Sequence, residues 1–206
     1  MAFGDFQYPA VVQQFGLTWQ TTDDLFAGVP VVPPAAAFRE TMAIMSRLAA
    51  IVNTEKARSE GMIAPLLNDF WSRYRSQISL FSGVDFQADP AAKLNGFCDF
   101  LIARAPQQPQ IVAPVMVIFE AKKENINDGL GQCIAGMVGA QRFNQRTNAP
   151  VDSVFGCVTT GTAWRFLRLT STTLTFDSVE YDLLQTDRIL GILTHVVGPP
   201  PAQVAA

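Results

Sequence analysis

The sequence predicts a mixed α/β fold in which helices flank a central β-sheet, and three observations lead there. Apolar residues recur at helical spacing over 35–60, short β-prone runs of which 115–119 is the strongest lie further on, and a run rich in small residues follows over 129–145. Together with the flanking segments they give the order helix, strand, strand, strand, helix, strand, strand, strand, helix, a mixture that packs as helices around one sheet. With 206 residues, 49% hydrophobic and 16% charged, the chain is long enough to bury a sizeable core. The expected organisation is an N-terminal extended arm over 1–34, one domain over 35–197 and a disordered tail over 198–206.

Each element has a local reason. The first 34 residues mix aromatics (Phe3, Phe6, Tyr8, Trp19, Phe26) with turn residues and close on Gly28, Pro30, Pro33 and Pro34, which reads as an arm ending at a proline stop. Over 35–60 the stripe Phe38, Met42, Met45, Leu48 and Ile51 predicts one long helix. Gly61 and Pro65 interrupt it, so a kink or a fresh helix is expected near Ala64, running to about Ser76 on the stripe Leu66, Leu67, Phe70, Trp71 and Tyr74. Strands are expected over 78–87, 96–104 and 115–122, then a helix over 129–145 with Asp128 as its N-cap and small residues (Ala135, Gly136, Gly139, Ala140) that allow close packing on the sheet. Strands over 154–159, 163–169 and 173–181 and a helix over 183–196 complete the domain.

Composition removes several function classes. No run reaches the eighteen or more apolar residues of a membrane span, and the N-terminus has no basic segment of a signal peptide, so a cytoplasmic protein without a membrane partner is expected. Cys98, Cys133 and Cys157 are widely separated among mostly apolar neighbours, which reads as reduced core thiols. His195 is the one histidine and lies near the C-terminus, which weakens any Ser/His or Cys/His hydrolase. The net charge of −3 opposes nucleic-acid binding, yet residues 93–175 carry eight basic and five acidic groups, two of those acids being Asp99 and Glu120. Lys93, Arg104, Lys123, Arg142, Arg146, Arg165 and Arg168 are the residues that would make the ground around those acids positive, or else are ordinary solvated charges.

The chemistry-bearing residues are Asp99 on one strand and Glu120-Ala121-Lys122 closing the next. Strand alternation points Glu120 and Lys122 to one face, and puts Asp99 with Phe97 and Leu101, away from Cys98, Phe100 and Ile102. A lone acid in an apolar stripe is costly to bury, and two carboxylates from neighbouring strands raise each other's pKa unless a cation neutralises them. Mg²⁺ suits such a place, being held by one or two carboxylates, waters and substrate phosphate, with the Ala121 carbonyl as a further ligand. Lys122 would orient or help deprotonate an attacking water and offset charge in the transition state. An acid-x-Lys triplet is also common by chance, and an Asp beside a Glu/Lys pair is often a surface ion pair. Glu60 is a further acid of interest: at 100° per residue it projects onto the face of Leu67 and Trp71, and Glu55 competes with it. Gln132 falls in the first turn of the helix over 129–145, facing back toward the strand ends.

Asp99, then Glu120-x-Lys122, an acid-bearing helix before them and a helix opening with Gln132 after them, resemble the PD-(D/E)XK nuclease superfamily with its restriction-endonuclease-like fold. The wider text, Leu94-Asn95-Gly96-Phe97-Cys98-Asp99-Phe100, Phe119-Glu120-Ala121-Lys122-Lys123, Gly131-Gln132-Cys133-Ile134-Ala135 and Val158-Thr159-Thr160-Gly161-Thr162-Ala163-Trp164-Arg165-Phe166, is similar to uncharacterised bacterial, especially cyanobacterial, members. The resemblance spans about residues 55–195 and departs at Cys98, where the pattern has proline. It implies a Mg²⁺- or Mn²⁺-dependent nuclease acting on DNA, with Asp99 and Glu120 as metal ligands, Lys122 as catalytic lysine, Glu60 as auxiliary acid and Gln132 as a supporting polar group; many nucleases of this type cut duplexes as homodimers, and the sequence leaves the oligomeric state open. The alternative within the same fold is a catalytically inactive binding module in a nucleic-acid-processing complex.

Overall fold

A mixed sheet with helices on both faces forms the centre of the structure, a computed structural model that describes residues 3–198. After a turn at Phe3–Asp5 come α1 (Ala10–Gln14), β1 (Thr18–Thr22), α2 (Ala36–Val52), α3 (Glu55–Arg58), a π-turn at Ser59–Ile63 and α4 (Ala64–Tyr74). They are followed by β2 (Ser79–Asp89), β3 (Leu94–Ala103), β4 (Val115–Ala121), α5 (Leu130–Arg146), β5 (Val154–Thr159), β6 (Ala163–Thr170), β7 (Thr173–Asp177), β8 (Tyr181–Asp182) and α6 (Thr186–Val197). The strand order is β1-β7-β6-β5-β4-β3-β2, with β8 added against β6.

Strands β2, β3 and β4 are antiparallel neighbours, whereas β4 and β5 run parallel and are joined by α5. Parallel neighbours need such a crossover, because a short turn cannot return the chain to the same end of the sheet. Strand β4 is buried along its whole length, which is why it reads as an unbroken apolar run rather than an alternating one. One core lies between the sheet and α2, α4 and α6 (Phe38, Leu66, Phe70, Phe119, Trp164, Ile192), the other between the sheet, α5 and the N-terminal segment (Phe3, Val11, Ile118, Ile134, Leu167).

Several expectations change. Residues 3–34 are not an extended arm: Phe3, Phe6, Val11, Val12 and Phe26 are buried, and β1 pairs in parallel with β7. The helix expected over 35–60 stops at Val52, where Asn53 takes a left-handed conformation (φ 50°) and Thr54 caps α3 by accepting from the Ala57 N–H. Its inward stripe is Phe38, Met42 and Ala49, while Ile44, Leu48, Ile51 and Val52 face outward. This helix is apolar on two sides, so periodicity alone picks the wrong edge of the stripe. Asp128 is not the cap of α5, because its carboxylate accepts from Asn125 Nδ2 within a preceding turn and Gly129 stands at the N-cap. The strand expected over 173–181 divides into β7 and β8. All three cysteines are buried and free. Apart from Gly198, the expected tail lies outside the described residues.

The β2–β3 hairpin turns over midway. Phe81 and Leu101 share a core with Val84, Phe86, Leu94 and Cys98, so the inward positions change parity between Phe81 and Val84. Gly83, at φ +58°, sits at that crossing. Cys98 therefore joins the core of Leu101 rather than that of Phe100 and Ile102, and Phe97 is exposed.

Candidate metal and active site

The antiparallel β3–β4 ladder pairs Leu101 with Ile118 and ends at Phe100 with Phe119, so Asp99 and Glu120 are the residues that directly follow its last pair on the two strands. The Ala121 N–H donates to Asp99 Oδ2 at 2.7 Å, which ties the half-buried Asp99 to the end of β4. Lys122 continues the parallel pairing by donating its backbone N–H to the Thr159 carbonyl at 2.8 Å, and its Nζ donates to Glu120 Oε1 at 2.5 Å. Glu120 is 2% exposed, whereas the Lys122 side chain keeps 21% of its surface. The structure thus brings Asp99, Glu120 and Lys122 together at one end of the sheet.

Neighbouring backbone leaves room for them. Gly129, at the start of α5, lies directly over the pair: a Cβ there would come within 3.0 Å of Glu120 Cγ, 3.2 Å of Lys122 Cγ and 2.6 Å of Val158 Cγ1. On the β2 side the register places Gly83 opposite Asp99, between the pairs Ser82–Phe100 and Val84–Cys98, with open space where a side chain would stand.

Burial pushes the Glu120 carboxyl up to about 8, and the charge of Asp99 pushes the same way, against a partial offset from Lys122. Burial pulls Lys122 down, but Glu120, Glu55 and Asp99 together outweigh it and hold the ammonium above its ordinary value. A lysine held protonated is a poor proton acceptor, so its chemistry is to position groups and stabilise negative charge. Burial also raises the thiol pKa of Cys98, Cys133 and Cys157.

The remaining residues singled out from the sequence are placed differently. Glu60 falls in the π-turn, whose extra residue rotates it off the Leu67 face, and it is exposed in an ion pair with Lys56 at 2.8 Å. Glu55 opens α3, and its charge, like that of Asp99, acts on both Glu120 and Lys122. Arg58 docks α3 there by donating to the Thr160 carbonyl at 2.8 Å, beside the Thr159 that receives the Lys122 N–H. Gln132 is half-buried against the N-terminal turn, its Oε1 3.8 Å from where a Cβ on Gly4 would lie. Nor do the basic residues form one patch: Arg142 pairs with Asp89 and Arg165 with Glu180, while Arg104 and Arg168 lie at the far end of the sheet. The contributions of Gly129 and Arg58 were not signalled by the sequence, since both depend on which loops meet the strand ends.

Two oxygen-donor carboxylates, one of them destabilised as an anion by burial, are a donor set that suits a hard divalent cation. Among the described residues no group of three or more His, Cys, Asp or Glu side chains could hold a metal ion, so a cation here would complete its shell with the Ala121 carbonyl, water and substrate oxygens. No helix among the described residues is long and apolar enough to cross a membrane. In comparisons with known proteins, no family model matches the chain and no curated protein matches it.

Proposed function

We propose that the chain is a Mg²⁺-dependent nuclease that hydrolyses phosphodiester bonds in DNA, a member of the PD-(D/E)XK superfamily. The observation that carries this reading is the convergence of Asp99 and Glu120 just past the last pair of the β3–β4 ladder, Asp99 tied to the Ala121 N–H and the Lys122 ammonium paired with Glu120. Three antiparallel strands followed by a helix and a parallel fourth give the sheet on which such a site would sit.

Asp99 and Glu120 would hold the cation with the Ala121 carbonyl, and the bound ion would supply a more acidic water and neutralise phosphate charge. Lys122 orients the attacking water and stabilises the charge that builds on the phosphoryl oxygens. The water oxygen bonds to phosphorus as its proton passes to solvent, the bond to one sugar oxygen breaks, and that oxygen takes a proton from solvent and leaves as an alcohol. Glu120 first, then Glu55 and Asp99, favour the charged form of Lys122. A DNA digest tests the reading: cleavage is expected with Mg²⁺ or Mn²⁺ and is lost in Asp99→Ala and in Lys122→Ala, since removing one charge-stabilising donor costs roughly 10²–10³-fold. Cleavage undiminished by EDTA, or retained by both variants, overturns it.

A second reading, a catalytically inactive module of the same fold, is favoured by one feature: Glu120 pairs with Lys122, and Asp99 with a backbone N–H, so both carboxylates have partners within the chain. Calorimetry separates the two, because stoichiometric Mn²⁺ binding abolished by Glu120→Ala contradicts the inactive module.

A further inference from the structure

At the end of the sheet away from Asp99 and Glu120, a cavity of about 430 Å³ opens between the start of β4 and β5, the end of β6 and the last turn of α6. Arg104, just past β3, and Arg168, on β6, both line it, as does His195. Met116, from which Glu120 is four residues or about 13 Å along the strand, supplies an apolar wall together with Phe155.

Two guanidinium groups facing one cavity repel each other unless an anion lies between them. Among the described residues neither Arg104 nor Arg168 makes an ion pair, although six other Lys or Arg side chains of the chain do so with acids within 3.0 Å. The Arg168 Nε is buried and has no hydrogen-bond partner, a cost normally avoided in folded proteins. Arg104 reaches only the Val196 carbonyl, at 3.5 Å. One carboxylate, Asp152, is in the lining; it is exposed. Two guanidinium forks offer more donors than one carboxylate can accept, and with Asp152 counted the lining keeps a net positive charge that suits a phosphate. The space exceeds a bare anion and falls in the range of small-molecule sites, with an apolar wall for the body of the ligand.

We propose that this cavity binds a small organic phosphate, its phosphoryl oxygens on Arg104 and Arg168 and its apolar part against Met116 and Phe155. The site is separate from the candidate nuclease centre and would hold even were that reading to fail. Isothermal calorimetry on the full chain tests it with phenyl phosphate, inorganic phosphate and benzoate as probes. Saturable binding of phenyl phosphate is expected, tighter than that of either other probe, weakened at least tenfold in Arg168→Gln and in Arg104→Gln, and unchanged in Lys122→Ala. Arg104 is exposed, so its variant leaves the fold intact even where loss of Arg168 does not. Absence of saturable binding, affinity unaltered by both arginine variants, loss of binding in Lys122→Ala, or benzoate binding as tightly as phenyl phosphate overturns the proposal.

Discussion

Glu120 is almost wholly buried beside a second carboxylate, and that placement has a measurable cost. Its carboxyl ionises at about 8 in the folded chain against 4.5 for the ordinary group, so between those values the folded state holds a proton that the unfolded state has released. Stability therefore falls as pH rises through this window, and it is fully present only below about 4.5. Each pKa unit corresponds to about 1.4 kcal/mol, so a loss on the order of 3 kcal/mol is expected between pH 5 and pH 8. Thermal melts of the wild type should show this decline without divalent cations, recovery on adding Mg²⁺ at pH 8, and a flatter profile in Glu120→Gln. Equal pH profiles for the two proteins would remove the basis for a cation at this position.

The elements that frame the site make their own predictions through two glycines. Gly83 holds φ +58° where the β2–β3 hairpin turns over, and a side chain there would cost about 1–2 kcal/mol of backbone strain although space is open around it. Gly83→Val should lower the unfolding free energy obtained from urea titration by that amount, with the slope unchanged. Gly129→Ala differs in kind, since its Cβ meets the stems of Glu120, Lys122 and Val158. Overpacking of this sort costs about 1–3 kcal/mol, and cleavage should fall further than stability because the two reactive side chains must shift. The central strands were legible in the sequence because β4 is an apolar run of strand length closed by Glu120 and β3 a shorter one interrupted by Asp99, and the nearness of those two acids followed from taking the strands as neighbours. The end of α2 was less legible: Asn53 breaks the helix through a left-handed turn, and Ile44, Leu48 and Ile51 make a second apolar stripe on its outer face. Glu60 was misassigned to an inward face because a π-turn shifts the 100° periodicity on which that projection relied.

At the scale of the whole molecule the N-terminal segment is part of the fold. Phe3, Phe6, Val11, Val12 and Phe26 are all buried, β1 covers the edge of β7, and Arg188 on α6 donates to the Val29 and Phe26 carbonyls. Five such side chains contribute about 1.5–3 kcal/mol each, comparable with the roughly 5–15 kcal/mol that stabilises an ordinary domain. A chain lacking residues 1–34 should lose its cooperative melt by circular dichroism, and a sharp transition near that of the full chain would contradict this. None of that integration was visible from 1–34 alone, whose turn residues hid a parallel strand that only β7 completes. Function turns on one point in this frame, the candidate cation site where two carboxylates and an amine meet at the end of the sheet. Its most direct test is a crystal structure of the wild-type protein soaked with Mn²⁺, read by anomalous scattering. A single Mn²⁺ peak bridging Asp99 and Glu120 is the predicted result; saturating Mn²⁺ with no peak between those two carboxylates would contradict it.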